Sequence, residues 1–126
     1  MKKLALAVCA VLLTVPAAFA QELSAADLDR RRVALRNLLD EQWEYTLRTS
    51  PEFASILGDR RYNDQLSDVS ESGVKADLDM SRRFLRRFEA VSTVAFSGQE
   101  KLNRDLMIKS LRDSLEGAKF VNWQMP

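Results

Sequence analysis

The spacing of the apolar residues constrains the fold of this chain more than any other feature. Along most of its 126 residues, apolar side chains recur every three or four positions, which is the period of an α-helix with one buried face. No segment alternates β-branched and polar residues in the way that a half-buried strand does. The sequence therefore predicts an all-α fold.

Start and stop signals place the first two helices. Ser24 is predicted to cap the first helix, which ends at Ser50 because the residue before a proline disfavours the helical conformation. A short second helix follows at once, with Ser50 as its cap and Pro51 at its first position. Gly58 fits the left-handed position just past the end of a helix. Residues 59–69 then form an ordered loop.

The third and fourth helices also begin at serine residues. The third is predicted to start at Ser70. The fourth starts after Ser97, where Ser97 and Glu100 have the spacing of a capping box. Because the connections are short, we expect an antiparallel array of three long amphipathic helices plus one short helix.

The predicted buried side chains lie along one face of each helix, and the loop is expected to be pinned by Tyr62 and Leu66. The predicted faces are Leu28, Leu35, Leu38, Leu39, Trp43 and Leu47 in the first helix, Phe53, Ile56 and Leu57 in the second, Val74, Leu78, Ser81, Phe84, Leu85, Phe88 and Val91 in the third, and Leu102, Leu106, Ile108, Leu111, Leu115 and Ala118 in the fourth.

Residues 1–20 have the pattern of a secretory signal peptide. Lys2 and Lys3 precede a short apolar run, and Ala18 and Ala20 match the small-x-small cleavage pattern. The alternative, a retained membrane anchor, is disfavoured because the apolar run is short for a bilayer span. We expect cleavage after Ala20, a secreted or periplasmic location, and no membrane attachment of the mature chain.

Composition limits the chemistry of the chain. It contains no histidine, and its single cysteine, Cys9, lies in the signal segment, so the mature chain has no disulfide. Its 19 basic and 18 acidic residues nearly balance, which argues against nucleic acid or an anionic membrane as the main partner. We find no catalytic or metal-binding motif, so residues 21–126 are not expected to hold a cofactor.

Two clusters of charged residues allow both a functional and a structural interpretation. In the loop, Arg60, Arg61, Tyr62 and Asp64 are candidate substrate contacts, since binding groups concentrate on positioned loops. The structural interpretation assigns Pro51, Gly58, Tyr62 and Asp68 to turns, caps and loop anchoring. On the third helix, Arg82, Arg83, Arg86 and Arg87 form either a face that binds a peptide carboxylate or a polyanion, or a solvated face paired with Asp77, Asp79 and Glu89.

The segment from Pro51 to Gly58, followed by Tyr62-Asn63-Asp64 and Leu66-Ser67-Asp68, resembles the start of a family of secreted bacterial proteins called domain of unknown function 885. Residues 42–45 and the helix around residues 102–106 are similar too. The resemblance extends over most of the mature chain, and its middle part is the specific one.

The resemblance implies a zinc metallopeptidase of the gluzincin type, whose His-Glu-x-x-His helix lies far downstream of this region. Residues 21–126 would then be the helical N-terminal region of a larger domain. This region would be non-catalytic by itself and would pack against the rest of its own polypeptide or another subunit. A peptide-like substrate is the class implied. The apolar end of the chain, with Trp123 and Met125, favours truncation. The alternative is a complete small periplasmic binding or adaptor protein.

Overall fold

A computed structural model describes residues 17–120, and their side chains from residue 24 onward. Within this part the fold is all-α, as predicted. It consists of α1 (Ala17–Thr49), α2 (Pro51–Ile56), α3 (Glu71–Ala90), α4 (Gly98–Gly117) and a final 3₁₀ turn (Ala118–Phe120). Most of the predicted signal peptide, and the predicted apolar end with Trp123 and Met125, lie outside the described residues.

The helix α3 packs between α1 and α4 and runs antiparallel to both. The Tyr45 hydroxyl in the last part of α1 donates to Asp77 near the start of α3 at 2.5 Å, while Glu41 pairs with Arg87 near its end. On the other side, Arg104 in the first half of α4 donates to the carbonyl of Phe88 at 2.9 Å. The helices α1 and α4 therefore run in the same direction.

The core lies where these three helices meet. Phe88 is fully buried at its centre, and Phe96 closes it from the segment between α3 and α4. The buried cluster consists of Leu35, Leu38, Phe84, Phe88, Phe96, Ile108 and Leu111. All of these residues except Phe96 lie on the apolar stripes predicted from the sequence, so the hydrophobic effect orders this part of the fold as predicted.

The predicted caps form at the starts of α3 and α4. The Ser70 hydroxyl accepts from the backbone N–H of Gly73 at 3.1 Å. Ser97 and Glu100 form the full capping box, in which each side chain accepts from the other's backbone N–H. Glu100 also lies 2.8 Å from Arg32 Nε of α1, so the start of α4 is tied to the first helix.

Two predicted helix signals behave differently in the structure. The helix α1 begins at Ala17 instead of Ser24, because residues 17–23 contain no glycine or proline and include three alanines, the best helix formers. Ser50 precedes α2 as predicted, yet its side chain makes no capping hydrogen bond.

The prediction that Phe53, Ile56 and Leu57 form the buried face of α2 is wrong. These three side chains share one face of the helix, but that face points outward, and Ile56 is 81% exposed. The opposite face, with Pro51 and Ala54, is buried instead. Small side chains allow α2 to approach α1 closely, so the bulkier face is left outside.

Other predicted core residues are also exposed. Leu102 and Leu106 are exposed because, at about 100° per residue, Leu106 lies about 200° around α4 from Ile108 and Leu102 about 180° from Leu111. Trp43 is half-exposed and meets the edge of Phe53 at the margin of α2. Leu66 is 82% exposed and does not pin the loop to the core. Polar contacts hold that loop instead.

The segment between α3 and α4 is clamped in a strained conformation. Ala95 has a positive φ of 63°, which disfavours residues with a side chain. The Arg31 guanidinium of α1 donates to the carbonyls of Ser92 and Val94 at 3.0 and 2.8 Å, and it lies over the Phe96 ring. These contacts hold the turn against α1 despite the strain at Ala95.

We expect Ala95→Gly to raise the free energy of unfolding by about 0.5–1 kcal/mol, because glycine adopts positive φ without the cost that alanine incurs. Urea titration followed by circular dichroism measures the change. The control is Ala76→Gly inside α3, which should lower the same quantity by about 1 kcal/mol. Equal destabilisation by both substitutions would contradict a strained Ala95.

Candidate functional site

The loop cluster predicted to contact substrate is held together by its own charges. The Arg61 guanidinium donates to both carboxylate oxygens of Glu44 at 2.9 and 3.1 Å, and to Asp59 at 2.6 to 3.0 Å. It also lies over the Tyr62 ring, 5.3 Å from its centre. Hydrogen bonds from Arg61 lower the pKa of the Asp59 carboxyl, and donating to Asp59 and Glu44 raises the pKa of Arg61.

Further hydrogen bonds fix both ends of the loop. The Glu52 carboxylate accepts from the hydroxyl and the backbone N–H of Ser67, which lowers the pKa of Glu52. Asp68 accepts from the backbone N–H of Ser70 at 3.0 Å, and its pKa is lowered by hydrogen bonding to Ser70. Gly58, at the other end, has the left-handed φ of 86° that its position requires.

The four candidate contacts therefore divide into two pairs. Arg61 and Tyr62 lie together and form part of the clamp on the loop. Arg60 and Asp64 are exposed on its surface. Of the residues assigned to the structural interpretation, Pro51 is buried, Gly58 has a left-handed φ and Asp68 accepts from Ser70, whereas Tyr62 is only half-buried beside Arg61.

The arginines of α3 fit a solvated face. Arg82 pairs with Asp79 at 2.7 Å, and Arg87 makes two 2.6 Å hydrogen bonds to Glu41 of α1. Arg83 and Arg86 are exposed. The other two acids expected to serve this face point elsewhere. Asp77 accepts from Tyr45 and Glu89 accepts from Arg112.

The constellation that sequence reasoning missed lies between α1 and α3. Tyr45 and Asp77 form a hydrogen-bonded pair that lines two open cavities of about 280 and 270 Å³. The first cavity lies towards the loop, where Arg48 and Leu66 line it. The second opens towards α4 and is rich in hydroxyl groups, including those of Thr46, Ser81, Ser110 and Ser114.

The environment keeps the Tyr45 phenol protonated. Partial burial, and then the hydrogen bond to Asp77, raise the pKa of Tyr45 above its ordinary value. The Arg48 guanidinium lies over the same ring, 5.6 Å from its centre. Tyr45 is thus a hydrogen-bond donor between a carboxylate and a guanidinium. It is a poor candidate for a nucleophile or base.

Only part of this arrangement can be predicted from the sequence. Tyr45 and Arg48 are three residues apart in a predicted helix, which places them on one face. Asp77 is 32 residues further along, so its contact with Tyr45 follows from the packing of α1 on α3 and cannot be read from spacing.

Among residues 24–120, whose side chains the structure describes, no group of three or more His, Cys, Asp and Glu side chains is placed to hold a metal ion. None of the helices described there has the length and apolar character that crossing a bilayer requires.

Comparison with known proteins found no matching family model, no similar curated protein and no similar solved structure. The resemblance to domain of unknown function 885 stays a prediction, which rests on the residues quoted for it.

Proposed function

We propose that this chain is the helical scaffold portion of a secreted, zinc-dependent peptidase or related hydrolase, and that it is not catalytic by itself. The observation that carries the proposal is the outward apolar face of α2. Phe53, Ile56 and Leu57 of this face, together with Trp43 beside them, are called the α2 surface below.

The α2 surface has the properties of a packing surface that awaits a partner. Burying one large apolar side chain fully stabilises a protein by about 1.5–3 kcal/mol. A partner that covered these four exposed side chains would therefore add stabilising free energy. Trp43 and Phe53 meet edge to face with ring centres 6.1 Å apart, which makes them a continuous patch. Clustered exposed apolar residues of this kind mark interaction sites more often than scattered single ones do.

The clamped loop supports the same proposal. Arg61 joins the loop to Glu44 of α1, and Glu52 at the start of α2 holds Ser67 at the far end of the loop. These contacts join the loop to α1 and to α2, the two helices that carry the residues of the α2 surface. A preformed surface costs less entropy to bind than a mobile one.

The partner we propose is the catalytic part of the same polypeptide. The α2 surface lies within the segment from Pro51 to Gly58, which is the most specific part of the resemblance to domain of unknown function 885. In that family the implied zinc ligands lie downstream, so the scaffold and the metal centre would be joined through such a surface. This assignment rests on fold-level analogy as well as on the exposed side chains.

We expect the reading frame of the intact gene to continue past the codon for Pro126 and to encode His-Glu-x-x-His downstream. In that longer protein, Ile56→Glu should lower the free energy of unfolding by about 1–2 kcal/mol, because a charge would enter a buried contact. Val94→Glu is the control, since Val94 is 72% exposed and away from the α2 surface.

A stop codon after Pro126 in the intact gene would remove the scaffold proposal. Equal effects of Ile56→Glu and Val94→Glu in the longer protein would contradict the proposed role of the α2 surface.

A complete small periplasmic binding protein is the second candidate, and the two cavities beside Tyr45 and Asp77 favour it. A cooperative thermal melt and a monomeric or dimeric elution of residues 21–126 would support that candidate.

A further inference from the structure

We propose that the cavities around Tyr45 and Asp77 form a binding site for a small zwitterionic ligand of amino-acid size, called the Tyr45–Asp77 site below. The site is made of this chain's own residues, so the inference does not depend on the proposed scaffold function. Its elements are a carboxylate, a guanidinium, a phenol between them and a half-open cavity.

Asp77 is the expected partner of an ammonium group. Its Oδ1 accepts from the Tyr45 hydroxyl at 2.5 Å. An ionised carboxylate accepts about four hydrogen bonds, so this contact leaves most of its capacity. Asp68 lines the same cavity and adds negative charge on that side. Hydrogen bonds between charged partners are the strong ones in a site of this kind.

Arg48 is the expected partner of a carboxylate. It lies over the Tyr45 ring and lines the same cavity as Asp77. The planar guanidinium carries five N–H donors in an arrangement that matches a carboxylate. Stacking on the Tyr45 ring covers one face of this plane and leaves the N–H groups along its edge free to bind a ligand. Opposite charges thus border one phenol ring, which suits a ligand that carries both an ammonium and a carboxylate group.

The rest of the cavity sets the size of the ligand. Gly73 and Ala76 of α3 give it a small-residue wall, and Leu66 borders it from the loop. Its volume of about 280 Å³ lies just below the range of about 300–1,000 Å³ found for pockets that hold drug-sized ligands. A ligand with one short apolar side chain fits such a volume and would lie against Leu66.

The second cavity offers a continuation for a longer ligand. It shares Tyr45, Thr49 and Asp77 with the first, and its other walls carry the hydroxyls of Ser81 and Ser110. Neutral hydroxyls donate and accept, so they suit a peptide amide better than a second charge. We therefore expect a dipeptide to bind at least as well as a free amino acid.

The first experiment uses the unmodified protein and isothermal titration calorimetry with L-leucine and leucyl-leucine. We expect saturable binding with a Kd below about 10 mM. The matched control is N-acetyl-leucine amide, which has the same side chain and no charge, and we expect it to bind at least tenfold more weakly. No saturable binding of either zwitterion, or equal binding of the neutral compound, would overturn the proposal.

The second experiment assigns the charges. Asp77→Asn retains an acceptor for the Tyr45 hydroxyl, and Arg48→Gln retains a polar side chain, so circular dichroism should report a folded protein in both. Each should weaken leucyl-leucine binding by roughly ten- to hundredfold, the range for loss of a hydrogen bond to a charged group. Arg82→Gln, on the solvated face of α3, is the control. Binding unchanged in both site variants would place the ligand elsewhere and overturn the assignment.

Discussion

Phe88→Ala should lower the free energy of unfolding by about 3–5 kcal/mol, which is the range for truncating a buried aromatic side chain. Phe88 has no exposed surface and lies at the centre of the cluster formed by α1, α3 and α4. Its removal leaves a cavity that the surrounding helices can fill only by shifting inward and repacking. Urea denaturation of the full chain, followed by circular dichroism at 222 nm, measures the loss.

Phe53→Ala is the matched control, because it deletes the same atoms from a side chain that is 39% exposed. We expect it to cost about 1–2 kcal/mol, since part of the transfer energy is already missing where water reaches the ring and no closed cavity is left. The two variants therefore test the central correction to the sequence prediction, that α2 turns its large apolar face outward. A loss at Phe53 as large as that at Phe88 would place Phe53 in a core.

The sequence predicts where helices begin more reliably than which faces they bury. Ser70, Ser97 and Glu100 act within one turn of chain, so their roles follow from local hydrogen bonding. Burial depends on which neighbour a helix finds. Leu35 and Phe88 form the core as predicted, whereas Leu102 and Leu106 of α4, a helix as long as α3, are exposed because α4 presents another side to α3. The short helix α2 also offers two possible faces, and the one with smaller side chains is buried.

The same distinction explains what could be read of the candidate sites. The loop contacts of Asp59 with Arg61 and of Asp68 with Ser70 span two residues and follow from the turn chemistry of aspartate. The Tyr45–Asp77 pair joins two helices, and it depends on their register. The predicted pairing of Asp79 with the arginines of α3 forms, with Arg82 as its partner. Asp77 accepts from Tyr45 instead, because positions two residues apart on a helix point in different directions.

The junction between the loop and α3 depends on a close approach that only glycine allows. A Cβ atom on Gly73 would lie 2.5 Å from both the carboxyl carbon and the backbone oxygen of Asp68. We expect Gly73→Ala to lower the free energy of unfolding by about 2–3 kcal/mol, the upper part of the range for overpacking, because one of the clashing atoms is backbone. The same urea titration measures it.

Gly117→Ala is the control, since its Cβ would meet nothing within 4 Å and alanine favours a helix. It should raise the free energy of unfolding by about 0.5–1 kcal/mol, so the two glycine substitutions should have opposite signs. Destabilisation of similar size at both positions would show that neither result reports the contact with Asp68.

A double substitution separates the two parts of the clash at Gly73. Asp68→Ala removes the carboxylate that Gly73 approaches but leaves the backbone oxygen at the same distance. We therefore expect Asp68→Ala to recover only part of the loss caused by Gly73→Ala, with a coupling energy between the two sites of at least about 0.5 kcal/mol. Full recovery would mean that the side chain alone sets the limit. Strict additivity would mean that the loop and α3 do not meet at Gly73.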